Sequence, residues 1–300
     1  MVNRYSGFLL VLLLAASAGG QALEPRFYSN APKGLNFFLS GYTYSTGGLL
    51  TDPALKLTDA NLRLHMPFVA YARSGSVFGK SAKFDVVVPY GFLSGDAVQD
   101  GTPVDREVDG FADPQFRCSI NLIGAPALAL EEFRDYRQNF ILGTSLLVAA
   151  PLGQYDTDKL VNIGQNRWSF KPELGASTTF GPLILELAGA VAVYTDNDNF
   201  NGQLRKQEPV YSVQGHVVYT LKNGIWAALN ATHYAGGKTT VDDVERDDRQ
   251  ANNRFGATLA FPVNRNHSIK LYASAGVAAR TGSDFNTYGA AWQYRWGGGL

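Results

Sequence analysis

Cysteine is nearly absent: Cys118 stands alone among 300 residues. That excludes an intramolecular disulfide and any zinc site built on paired cysteines, and leaves Cys118 the role of a small apolar strand residue. Neither sign of charge dominates, since 26 Lys and Arg balance 26 Asp and Glu, so the basic footprint of a nucleic-acid binder is missing. Histidine is sparse: His65, His216, His233 and His267 stand singly, and no His-x-x-Glu-His cluster or Ser elbow accompanies them. Beyond the N-terminus no apolar run is long enough for a transmembrane helix. Nothing in the chain calls for a cofactor or a resident metal.

What is present is glycine, 32 residues, together with 12% aromatics, a combination that suits a twisted, turn-rich β-protein. The first residues read as a secretory leader. Arg4 precedes the apolar core Phe8 to Ala16, too short to span a membrane, and Gly20-Gln21-Ala22 forms a small-x-small cleavage site. Residues 1–22 are therefore expected to be removed, leaving 23–300 as one exported domain.

From there the sequence alternates in segments of roughly ten residues. Candidate strands are 34–44, 60–72, 82–92, 112–122, 139–150, 166–178, 183–194, 210–221, 225–235, 253–262, 268–279 and 287–296. Twelve is the even number that a closed antiparallel barrel with both termini on one side requires. Connections after odd strands are long and polar (45–59, 93–111, 151–165, 195–209, 236–252), whereas 179–182, 222–224 and 263–267 are tight. Two connections break this phase: 123–138 is long, with Leu130 to Tyr136 reading as a short periplasmic helix, and Arg280 to Asn286 is short for an outer loop.

A soluble β-sandwich also alternates, but it needs bulky residues to fill a common core. Strand 166–178 sets Trp168, Phe170, Pro172, Leu174 and Ala176 against Arg167, Lys171 and Glu173, and strand 268–279 carries Ala and Gly at many positions. Small residues fill a sandwich core poorly and cost little against lipid chains. The last strand puts Tyr288, Trp292, Tyr294 and Trp296 on one face, where, with Trp168, they form a membrane girdle if turned outward. The expected fold is an all-β transmembrane antiparallel barrel of about twelve strands.

The runs Ala150-Pro-Leu-Gly-Gln-Tyr-Asp156, Leu160 to Trp168 and Phe170-Lys-Pro-Glu-Leu-Gly175, with Asp109-Gly-Phe-Ala-Asp-Pro114 upstream, resemble the outer-membrane transporter family of the MetA-pathway of phenol degradation. The resemblance covers most of the mature chain. It implies an outer-membrane barrel associated with uptake of hydrophobic or aromatic compounds, and it carries over no binding residues. Read by themselves, Pro151, Gly153, Asp156, Gly164 and Asn166 are turn formers of a structural loop.

By register, the lumen receives Arg63, Lys83, Asp85, Arg117, Lys171, Glu173, Glu186, Gln214, His216, Arg254, Lys270 and Arg295, with seven basic residues to three acidic. These groups either pair and close the barrel or line a watery passage that favours anions such as aromatic carboxylates. The expected function is that of a passive outer-membrane channel for small solutes, not of an enzyme. A hydrophobic solute could leave sideways near Pro67, Pro89 or Pro114, where a ladder hydrogen bond is missing. A closed structural or adhesive barrel is the alternative. A lipid hydrolase using His216 beside Ser212 or Thr232 comes last, for want of an orienting partner. Asp196 to Gly202 begins like a calcium loop, but Phe200 stands where a ligand belongs, and Asp242 to Arg249 reads as a solvated loop. Expected partners are outer-membrane lipid and lipopolysaccharide, the solute and the barrel-assembly machinery.

Thr287-x-Gly289-x-x-Trp292-x-Tyr294 fits the pattern resembling the terminal signal by which barrels are inserted, followed by Gly297-Gly-Gly-Leu300. Trp296→Ala is expected to lower the yield of folded protein in the membrane fraction. If the glycine tail hinders recognition, its deletion raises that yield.

Overall fold

In β8 (Leu183–Tyr194) the chain shows its construction most plainly. Leu185, Leu187 and Val193 face outward and are exposed, while Ile184, Ala188 and Ala190 are buried on the other side. Its neighbour β11 (Val210–Thr220) repeats this with Tyr211, Val213, Val217 and Tyr219 exposed against inward Gln214, His216 and Val218. Surface apolar residues on this scale are tolerated only where lipid replaces water. The computed structural model describes residues 24–50, 57–99, 101–159, 161–278 and 282–300. The expected leader, 1–22, lies outside the described residues.

The wall contains twelve antiparallel strands. Besides β8 and β11 these are β1 (Leu35–Leu50), β2 (Leu57–Val77), β3 (Lys80–Gln99), β5 (Gln115–Ile123), β6 (Phe140–Ala149), β7 (Ser169–Phe180), β12 (Trp226–Gly236), β15 (Gln250–Pro262), β16 (His267–Ala278) and β17 (Gly282–Gly297). Each pairs with the next, β2 pairs β3 and β3 pairs β5, and β1 closes on β17 through a register running from Leu35↔Gly297 to Leu50↔Gly282. Closure leaves no free edge in the wall. Tight turns, such as Phe78-Gly79 and Gly181-Pro182, gather at one end with the start of β1 and the end of β17, and the long connections gather at the other. The 123–138 connection at the short-turn end holds α1 (Leu130–Phe133), a single turn.

Three regions expected as loops are structured. Residues 93–99 continue β3 and residues 102–111 return as β4 (Thr102–Phe111), because their alternation extends past the membrane: Val104, Arg106 and Val108 share one face. β3 is 20 residues long, about twice what a tilted strand needs to span a membrane. At Pro89 it exchanges its β5 partner for β4, and the Pro89 carbonyl accepts from Ala112 N at 2.9 Å. The loops 195–209 and 236–252 form two hairpins, β9 (Asn197–Phe200) with β10 (Gln203–Gln207), and β13 (Thr239–Val241) with β14 (Val244–Glu245). These join through β10 and β13 into a four-stranded cap over the long-loop end. Asp196 to Gly202 is thus a hairpin with its turn at Asn201-Gly202, both at positive φ.

Under the cap, Leu62, Leu64, Met66, Leu93, Ile163, Phe200, Val241 and Phe285 form an apolar core inside the barrel mouth. This overturns one expectation. Arg63 does not face the lumen: it alternates with inward Leu62 and Leu64, is 56% exposed, and pairs with Asp96 on the outer surface. The apolar face of β2 points inward here because the strand has risen past the lipid and supports the cap. Trp168, Tyr288, Trp292 and Trp296 are exposed on the outer face, and Tyr294 stacks between Trp292 and Trp296 at 6.4 and 5.3 Å.

The loop between β6 and β7 is pinned by Asp113, whose two carboxylate oxygens accept from Gly153 N and Gln165 N, each at 2.9 Å. Asp113 is 6% exposed, so Asp113→Ala leaves two buried donors without an acceptor. The variant is expected to lose about 1–3 kcal/mol, read as a lower thermal unfolding midpoint of the detergent-solubilised protein.

Candidate functional site

The barrel encloses a cavity of about 900 Å³ that reaches from Asn264 and Arg295 at the short-turn rim to Ile163, Gln165 and Gln250 beneath the cap. It is not empty of protein. Residues 24–31 turn back from the start of β1 and run up into it, a feature the alternation pattern did not disclose because the segment belongs to no strand. Its traces in the sequence are the charged and aromatic run Glu24 to Tyr28, with Pro25 inside it and Pro32 after it, and small residues on facing strands. Tyr28 lies against Gly143 and Gly175: a Cβ at Gly175 would stand 2.2 Å from its ring, so a larger residue there would expel the segment.

Every charge in the segment has a wall partner. Arg117 forks onto Asp85 through Nε and Nη2, at 3.1 and 3.0 Å, and through Nη1 onto the Glu24 carboxylate. Its guanidinium also lies 4.0 Å over the Phe27 ring. Lys83 Nζ donates to the Phe27 carbonyl. The Arg26 amide donates to Glu186 at 2.7 Å, and its guanidinium lies over Trp226. Tyr28 donates its hydroxyl to Glu173 at 3.0 Å, and Gln214 donates to the other Glu173 oxygen at 3.1 Å.

The residues predicted for the lumen therefore occupy two levels. Lys83, Asp85, Arg117, Lys171, Glu173, Glu186 and Gln214 surround the inserted segment, and Lys270 joins them from the far wall. Glu24 feels Arg117, Lys270 and Lys171 together, so a tethered carboxylate sits among wall cations. Arg254, 6% exposed, stands nearer the cap and donates to Ser274 and the Phe285 carbonyl. Arg295 holds the rim through the Arg265 carbonyl. His216 meets Asn230 at 2.8 Å, and Asn230 in turn donates to Thr258. With Arg63 outside and the segment included, the predicted lumen residues and the segment together bring seven cations and four anions to the middle and rim of the interior. The β1–β2 side is apolar instead, with Phe37, Leu39, Phe68 and Ala70 on the cavity. Among the described residues, no cluster of three or more His, Cys, Asp or Glu could hold a metal ion.

A closed twelve-stranded wall with an apolar outer belt, tight turns at one end and an internal cavity defines a transmembrane β-barrel of the outer-membrane type. The chain belongs to the family described as "Putative MetA-pathway of phenol degradation", which matches residues 53–294. Its fold is similar to that of an outer membrane channel from Pseudomonas putida F1, with a TM-score of 0.78 and 20% identity over 92% of this chain and 100% of that one. The transport unit of the autotransporter AIDA-I from Escherichia coli is similar at a TM-score of 0.53 and 8% identity, covering 94% of this chain and 96% of that one. A search of curated proteins finds no match.

Deleting residues 24–29 from the mature chain is expected to raise single-channel conductance several-fold in planar bilayers, with the barrel still folded by its heat-dependent electrophoretic mobility. Unchanged conductance would mean that the segment does not narrow the path.

Proposed function

We propose that this protein is an outer-membrane channel for passive movement of small solutes that combine an apolar or aromatic body with a negative charge. The observation that carries this reading is the composition of the cavity, where Lys83, Arg117, Lys171 and Lys270 converge from four strands beside an apolar β1–β2 side. A preorganised cationic level draws anions into a low-dielectric passage, and the apolar side accommodates a ring or short chain. Glu24 holds the place of a solute carboxylate, and a diffusing anion competes with it for the same cations.

In this reading the short turns face the periplasm and the capped end faces outward, where lipopolysaccharide surrounds it. The exposed rings of Trp292 and Trp296 meet the lipid boundary, and the terminal strand is engaged by the barrel-assembly machinery. The proposal assigns no catalysis, because a hydrolase needs a nucleophile beside His216 and a carboxylate to orient it. The neighbour bonded to this imidazole is the Asn230 amide.

Liposome swelling tests the proposal. Benzoate is expected to permeate faster than a neutral sugar of similar mass, and Lys270→Glu is expected to slow benzoate by about tenfold without slowing the sugar. Swelling ordered by size alone would contradict the charge argument. No swelling with any solute would favour a closed structural barrel.

A further inference from the structure

Hydrogen-bond donors without acceptors gather beneath the cap. Arg205, on β10, is wholly buried, yet its Nε, Nη1 and Nη2 have no hydrogen-bond partner among the described residues. Arg167 is 2% exposed and leaves Nε and Nη1 unpaired, while its Nη2 reaches Gln165 and Gln207. The amide nitrogens of Gln165 and Gln250 are unpaired as well. The two guanidiniums are near enough to disfavour each other's charge: burial first, and then Arg205, pull the Arg167 pKa down to about 9. Burial also lowers that of Arg205.

Two carboxylates lie nearby, and both are committed elsewhere. Asp113 holds Gly153 N and Gln165 N, and Asp248 accepts from Thr239 N and Oγ1. Neither accepts a hydrogen bond from a guanidinium. Buried charges are ordinarily paired and hydrogen-bonded, and two neighbouring cations with five idle nitrogens break that rule unless something supplies the acceptor.

We propose that Arg167 and Arg205, with the side-chain amides of Gln165 and Gln250, form a binding site for the carboxylate of a small organic acid. Planar guanidinium forks match the two oxygens of a carboxylate. Asp113 and Asp248 offset part of the positive charge, so the site suits a monoanion better than a dianion. Aromatic walls are at hand, since Arg167 lies 4.3 Å over Tyr194 and Arg205 5.3 Å over Phe200. Gln165, Tyr194 and Gln250 also line the lumen cavity, which gives the acid a way in. The space is tight: a Cβ on Gly237 would stand 2.9 Å from the Gln207 amide nitrogen and 3.3 Å from that of Gln250. This site is separate from the mid-lumen cations, and binding there does not depend on whether the barrel conducts.

The test is thermal unfolding and titration calorimetry of the intact mature protein in detergent, at constant ionic strength. The probes are sodium benzoate, sodium acetate, sodium phosphate and sodium chloride. Benzoate or acetate is expected to raise the unfolding temperature saturably, and Arg205→Met is expected to stay folded while binding at least about tenfold more weakly. Gln250→Leu, which removes one idle donor on the cavity side, is expected to weaken binding too and decides the matter if Arg205→Met does not fold. The proposal is overturned if no anion binds saturably, if phosphate binds more tightly than either carboxylate, or if the folded variants respond as the wild type does.

Discussion

Arg117 ties the wall to the segment that fills it. One guanidinium holds Asp85 on β3 with two nitrogens, Glu24 of the inserted segment with the third, and the Phe27 ring beneath its plane. Its side chain is 18% exposed and those of Asp85 and Glu24 are 13% and 31%, so the group is partly desolvated. Removing one partner from a buried ion pair typically costs about 3–5 kcal/mol, because the remaining charge stays buried alone; the partial exposure of this group reduces that figure here. The barrel thus carries its own internal anion, held by the charges that would receive a solute.

The molecule divides into two solvation regimes along its axis. In the belt, lipid lies outside and charge inside, so β8 and β11 turn leucine and valine outward and Glu186 and Gln214 inward. Above the belt the order reverses: Leu62 and Leu64 go inward to support the cap, and Arg63 meets water with Asp96. The cap packs Phe200 and Val241 into the mouth while burying Arg167 and Arg205 beside them. An apolar cluster next to idle guanidiniums is a costly arrangement unless it has a binding partner.

The twelve wall strands were legible because a period of two survives wherever one face meets lipid, and the turn phase followed from connection length. The limits of that reasoning are equally specific. Arg63 was misplaced because alternation does not say where the membrane ends, and β2 keeps one register with β1 from Asn61 to Arg73 across both regimes. The inserted segment was missed because contacts such as Tyr28 with Glu173 span 145 positions and carry no local period. Arg167 was seen only as the charged face of a strand, while Arg205 sat in what read as a polar loop. Their convergence depends on the β10–β13 pairing, which brings together two loops more than thirty residues apart.

The central claim is that the charge balance of the filled lumen selects the solute. The most direct measurement is the reversal potential of the wild-type protein in a planar bilayer under a potassium chloride gradient. A potential displaced toward the chloride equilibrium value is the predicted result. Displacement toward the potassium value would contradict the account.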